Sequence, residues 1–232
     1  MPGKDTESLS DSLYWFPVVG LILGSMLYGV SVLPELAGTE IWPEGMAVVL
    51  LFLAVMLTRG LHLDGLCDWA DGFWGARSRE KVLNIMKDPC VGVFGAAVLV
   101  LILLAKWVCL VRLVDTDAMS WVIAATVISR TMQVVLAGGN PYAREDGGTG
   151  SAFITQAGRS HVTITLITSV IILLVISELD WRWLAVLLSA WLMTSLFGLY
   201  CRKRVHGVTG DLLGACSELI ETAVLAAGAV WA

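Results

Sequence analysis

The chain has 232 residues, of which 57% are apolar and 15% charged, with a formal net charge of −5. Soluble domains carry about 25% charged and about 45–50% apolar residues, so this composition excludes a disordered chain, an ordinary soluble enzyme and a nucleic-acid binder, which needs a basic surface. The five cysteines (Cys67, Cys90, Cys109, Cys201, Cys216) form no CxxC spacing, and an odd number argues against a disulfide framework.

A helix needs roughly 20 mostly apolar residues to cross the hydrocarbon core. Segments meeting that test run over about 15–33, 46–61, 91–114, 119–137, 161–179 and 183–200. A seventh, about 211–231, is less apolar and begins with acid. The first follows an acidic stretch and lacks a basic flank, so it reads as a retained span rather than a cleaved signal. The expectation is an all-α, polytopic integral membrane helix bundle with about seven transmembrane helices, forming a single domain over 1–232.

Basic residues set the orientation. Arg77, Arg79, Lys81 and Lys87 follow the second segment, Arg144 and Arg159 the fourth, and Arg202, Lys203 and Arg204 the sixth. With Lys4 they make ten of the fifteen basic residues. The opposite connections hold Glu35, Glu40, Glu44, Asp115, Asp117, Glu178 and Asp180, with Arg112 and Arg182 nearby. The basic side is expected in the cytoplasm, with the amino terminus inside. Trp15, Trp42, Trp107, Trp121, Trp181, Trp183 and Trp231 fall near span ends, as interfacial anchors do.

The stretch Leu61-His62-Leu63-Asp64-Gly65-Leu66-Cys67-Asp68-Trp69-Ala70-Asp71-Gly72 continues out of the second span. At about 100° per residue, Asp68 lies about 40° around a helix from Asp64, and Asp71 about 20° to the other side. Three carboxylates on one face repel one another, and a divalent cation among them relieves that repulsion. Mg²⁺ suits such a set, because it joins a few carboxylates to substrate phosphates. A solvated acidic face is the plainer alternative. His62 projects away from the Asp face and reads as a structural hydrogen-bonding histidine, and Cys67 reads as a packing residue.

Downstream, Arg77, Arg79 and Lys81 suit either a polyphosphate beside a metal or ordinary positive-inside charge. Lys87 and Asp88 precede Pro89, Gly92 and Gly95 and read as a tight loop re-entering the membrane. Arg130 lies within the fourth span, where an ionisable group is costly and faces the protein interior; Arg59 and Lys106 are placed to snorkel. The glycine-rich loop 138–150 carries Arg144, and its backbone amides suit phosphate oxygens. In the last cluster Asp211 and Glu218 share a helix face. Thr209 or Asp211 serves as an N-cap, whereas Glu218, two turns into an apolar span, calls for a metal or a basic partner. The expected site is drawn from loops of about 62–90, 138–160 and 201–218, all on the basic side.

These residues resemble a known family. The run from Leu61 to Gly72, Ile85-Met86-Lys87-Asp88 with Gly92 and Gly95, and Gly207-Val208-Thr209-Gly210-Asp211-Leu212-Leu213-Gly214-Ala215 with Glu218 are similar to the signature of the cobalamin synthase, or adenosylcobinamide-GDP ribazoletransferase, family. Phe16-Pro17-Val18-Val19-Gly20 fits as well. The resemblance implies a Mg²⁺-dependent enzyme of the cytoplasmic membrane. Such an enzyme joins adenosylcobinamide-GDP to α-ribazole, or to its 5′-phosphate, to give adenosylcobalamin, or its 5′-phosphate, and GMP.

The expected metal ligands are Asp64, Asp68, Asp71, Asp211 and Glu218. Expected substrate contacts are Arg77, Lys87, Arg130 and Arg144, with His62 and Thr209 carried beside them. Asp88 or one of the Asp64 to Asp71 set is the expected general base. The expected partners are these small molecules and membrane lipid, with no nucleic acid. A CDP-alcohol phosphotransferase is the alternative enzyme, since Asp68-x2-Asp71-Gly72-x3-Ala76-Arg77 approaches that family's opening, but the required downstream residues do not follow. A cation transporter would place acids at mid-membrane and usually carry a repeat; none is visible here.

Overall fold

The protein is described by a computed structural model covering residues 10–148, 150–176, 180 and 182–232. Lys4, Thr149, Glu178 and Trp181 lie outside the described residues. After a 3₁₀ turn at Ser12–Trp15, the helices are α1 (Phe16–Ser31), α2 (Leu33–Leu36), α3 (Pro43–Thr58), α4 (Leu61–Gly75), α5 (Arg79–Ile85) and α6 (Val93–Asp115). There follow α7 (Ser120–Gly139), α8 (Ser151–Gln156), α9 (Arg159–Ile176), α10 (Arg182–Val205) and α11 (Gly210–Trp231).

Among the described residues six helices are long and apolar enough to cross a membrane, namely α1 with its preceding turn, α6, α7, α9, α10 and α11. α3 with α4 passes the same test as a bent pair, a seventh candidate. The expected second span is broken at its end. Arg59 and Gly60 both take left-handed backbone, with φ of 54° and 66°, and α4 turns 88° away from α3. Glycine adopts that conformation freely and arginine does not, so the break is placed by the fold and not by hydropathy. α4 is thereby an amphipathic helix at one end of the bundle, not a continuation of α3.

α7 is the central post, buried along nearly all its length, with α1, α9, α10 and α11 packed around it. The Thr126 hydroxyl donates to the Gly20 carbonyl at 2.8 Å, tying α1 to α7. At the far end from α4, Trp121 stacks on Trp183 with ring centroids 4.2 Å apart and meets Trp231 at 5.6 Å. At the α4 end two loops are laced together. The Ala143 amide donates to the Val208 carbonyl and the Val208 amide to the Pro141 carbonyl, each at 2.9 Å.

Candidate active site

α4 buries Gly65, Leu66, Trp69, Ala70 and Phe73 while Asp64 stays exposed and Asp68 is half-buried. Its end is fixed by Arg204, whose Nη2 donates to the carbonyls of Phe73 at 2.8 Å and Ala76 at 2.6 Å. Nη1 reaches the Arg77 carbonyl at 3.2 Å. A cation placed on the free carbonyls of a helix terminus is a favourable cap.

α4 crosses the first turns of α11 at backbone contact. A Cβ on Gly65 would stand 2.5 Å from the Asp211 carbonyl oxygen, and one on Gly214 would stand 3.1 Å from the His62 Cα. That crossing sets Asp64 and Asp68 beside Asp211. Burial, and then the charges of Asp211 and Asp64, push the Asp68 carboxyl up to about 7. Asp211 is held by Arg144, whose Nη2 donates to Oδ2 at 2.9 Å and to the Met86 carbonyl at 3.3 Å. Thr209 caps α11 by accepting from the Leu212 amide at 3.4 Å, and its hydroxyl donates to Asp211 at 3.3 Å.

The other expected site residues are placed as follows. Asp71 is buried, and its two oxygens accept from the amides of Gly92 at 2.7 Å and Gly95 at 2.9 Å. It therefore caps the start of α6, and both glycines are needed there because a Cβ on either would overlap its carboxylate. Asp88 accepts from the Cys90 amide at 3.0 Å and shapes the loop. Lys87 pairs with Asp146 and holds that carboxyl below the usual range. Arg77 is exposed, with no side-chain partner among the described residues.

Glu218 and Arg130 are not brought to the Asp64–Asp68–Asp211 cluster. Glu218 lies roughly 10 Å further along α11 than Asp211 by helical rise. There Lys106 donates to Glu218 at 2.6 Å and to Glu221 at 2.7 Å. Arg130 donates to Ser217 and stands 3.7 Å from Glu221. Lys106, expected to snorkel, is instead 5% exposed, since two carboxylates meet it inside the bundle. His62 lies within the field of these charges, and its Nδ1 is buried with no hydrogen-bond partner among the described residues.

The donor set suits Mg²⁺ at the mouth of this cluster. The Asp64 and Asp68 carboxylates make no hydrogen bond or ion pair among the described residues, and the negative surroundings of Asp68 are only partly offset by Arg144. No three acidic, histidine or cysteine side chains form a ready shell among the described residues. Mg²⁺ commonly binds through one or two carboxylates and completes its shell with water and substrate phosphate. Beside them the Arg144 Nε is buried, with no hydrogen-bond partner among the described residues.

Sequence reasoning missed Arg204, Arg79 and the Lys106 network. Arg79 donates to the carbonyls of Val205 at 3.2 Å and Ala143 at 2.8 Å, bracing both loops from below. Arg204 counted only toward positive-inside charge and Arg79 toward that or a polyphosphate contact, and nothing local in the sequence marks either as a clamp.

The chain matches relatives named adenosylcobinamide-GDP ribazoletransferase. One from Chlorobaculum tepidum is 47% identical, covering 100% of this chain and 90% of the relative. One from Chlorobium chlorochromatii is 44% identical over 99% and 90%, and one from Pseudomonas entomophila is 39% identical over 97% and 90%. No solved structure matches. The family model described as cobalamin-5-phosphate synthase matches residues 1–229. A signature spread over three loops that the fold gathers at one end, and a match running nearly the whole length, lead to one conclusion: the chain belongs to the cobalamin-5-phosphate synthase family.

Proposed function

We propose that this chain is an adenosylcobinamide-GDP ribazoletransferase, joining adenosylcobinamide-GDP to α-ribazole or its 5′-phosphate and releasing GMP. The observation that carries the reading is the family match over residues 1–229, supported by relatives of that name at 39–47% identity. In the reaction a ribose hydroxyl of α-ribazole attacks the phosphorus bonded to the cobinamide arm. The new P–O bond forms as the bond to the bridging oxygen breaks, and GMP leaves with that oxygen.

Asp64 and Asp68 are the residues that would hold Mg²⁺, which when bound neutralises the diphosphate oxygens and favours departure of the leaving phosphate. Arg144 orients Asp211 through its Nη2 and offers its unpaired Nε to a phosphate oxygen. Asp71 works at one remove, fixing the first turn of α6 against α4. Arg77 and Lys87, both exposed on the same end, are the further phosphate contacts of this proposal. The hydroxyl's proton goes to Asp88 or to whichever carboxylate of Asp64 and Asp68 is free of metal.

The basic connections favour a cytoplasmic membrane location with this site facing the cytoplasm. The test is an assay on purified protein in lipid with adenosylcobinamide-GDP, α-ribazole and Mg²⁺, following GMP and corrinoid product together. Mg²⁺-dependent formation of both is expected, and Asp68→Asn abolishes it while leaving the protein folded. Full turnover by the Asp68→Asn protein would remove the metal role assigned to this face.

A further inference from the structure

α9 and α10 both pack on α7 but scarcely on each other. They leave a cleft of about 490 Å³ between them at the end of the bundle that carries α4. The cleft lies on the flank of the bundle, outside the cluster of Asp64, Asp68 and Asp211.

Its head is cationic. Arg202 is pinned there, donating from Nη2 to the Gly139 carbonyl at 2.6 Å and to Asn140 Oδ1 at 3.0 Å, and from Nε to the same Oδ1 at 3.3 Å. A guanidinium has five N–H donors, and Nη1 makes no hydrogen bond among the described residues, which leaves it available to a ligand. Across the cleft Arg159 opens α9 and has no side-chain partner among the described residues. The free amides of that first turn add positive character. Among the described residues, no acidic side chain lines the cleft.

Its body is apolar. Leu136 of α7, Val162 of α9, and Leu199 and Trp191 of α10 form the walls. From Arg202 to Trp191 the helical rise is about 16 Å, close to half of a hydrocarbon core of about 30 Å. A soluble anion has no use for such a slot. An amphiphile with an anionic head and a chain reaching the bilayer centre matches it in charge and in length.

We propose that this cleft binds one anionic phospholipid, with its phosphate on Arg159 and Arg202 and one acyl chain along Val162, Leu199 and Trp191. Basic pockets between membrane helices near the surface recognise such head groups. The occupant sits at the root of loop 138–150, because Arg202 grips Gly139 and Asn140, four to five residues before Arg144.

The test is tryptophan quenching of the full chain in neutral nanodiscs doped with brominated phosphatidylglycerol or brominated phosphatidylcholine. The difference between wild type and Trp191→Phe isolates the signal of Trp191. Brominated phosphatidylglycerol is expected to quench that signal at mole fractions where the choline lipid does not. Arg159→Gln, at an exposed position, shifts the curve roughly five- to tenfold to higher mole fraction. Equal quenching by the two lipids, or no shift with Arg159→Gln, would reduce the cleft to ordinary lipid contact and overturn the proposal. Relief of the quenching by glycerol 1-phosphate at concentrations matching the lipid would identify a site for soluble phosphate, and would equally overturn it.

Discussion

A Cβ at Gly65 would fall 2.5 Å from the carbonyl oxygen of Asp211, so the two backbones meet with no side chain between them. This contact is what brings carboxylates 147 positions apart in the sequence to one mouth. Gly65→Ala must part α4 from α11 by the width of a methyl group. The protein is expected to insert and purify, because the spans themselves are untouched. Turnover should fall by about tenfold or more, as a 1 Å misplacement at a reacting centre does, with a higher Mg²⁺ concentration needed for half-maximal rate. Titrating Mg²⁺ against GMP release checks it, and an unchanged midpoint would contradict the geometry.

The Asp68 carboxyl, raised to about 7 chiefly by burial, keeps its proton in the folded state at pH values where an unfolded aspartate has lost it. Between about pH 4 and 7 the folded protein thus binds more protons than the unfolded one, and Mg²⁺-free stability from this group falls as pH rises. Mg²⁺ needs the ionised form, so its stabilising effect should be larger at pH 8 than at pH 6. Thermal unfolding with EDTA or Mg²⁺ across that range reports both trends. Asp68→Asn should flatten them; an identical pH profile in the variant would show that the group is not responsible.

Arg144 contacts Asp211 and the Met86 carbonyl with one nitrogen, and its Nε is buried with no partner among the described residues. Lysine offers a point charge and no fork, so it cannot reproduce this arrangement. Arg144→Lys is expected to lower kcat by about one to two orders of magnitude, while the detergent-solubilised protein unfolds at nearly the wild-type temperature. Near-normal kcat would mean that charge alone suffices there.

Removing Lys106 leaves Glu218 and Glu221 buried without their nearest cation. Breaking a buried ion pair from one side costs about 3–5 kcal/mol, and Lys106→Met should lose stability on that scale in a denaturant titration. Lys106→Met combined with Glu218→Leu should recover part of the loss, since Glu221 keeps Arg130 at 3.7 Å. A double variant no more stable than the single one would show that the pairing is not what the site needs.

The bundle was legible because spans announce themselves by hydropathy alone, and six of the seven expected segments are single helices. The break at Arg59–Gly60 was not, since two successive left-handed residues leave no trace in an apolar average. Helical periodicity put Asp64, Asp68 and Asp71 on one face, but it did not show that Asp71's oxygens are taken by amides 21 and 24 residues away. Glu218 was read as needing a metal or a basic partner. The partner is Lys106, 112 residues distant, and no local pattern tells which helix faces will meet.

That separation bears on how the protein is made. Lys106 and Arg130 enter the bilayer on α6 and α7, while both of the carboxylates that answer them arrive on α11. During synthesis there is therefore an interval in which two cations sit in apolar helices with no counter-charge, a state that lipid disfavours. Insertion of α11 brings Asp211 to Asp64 and Asp68 and pairs those charges in a single event. A nascent chain stalled before α11 would carry an exposed polar mark that the finished protein hides, so completeness of synthesis is written into the electrostatics of its interior.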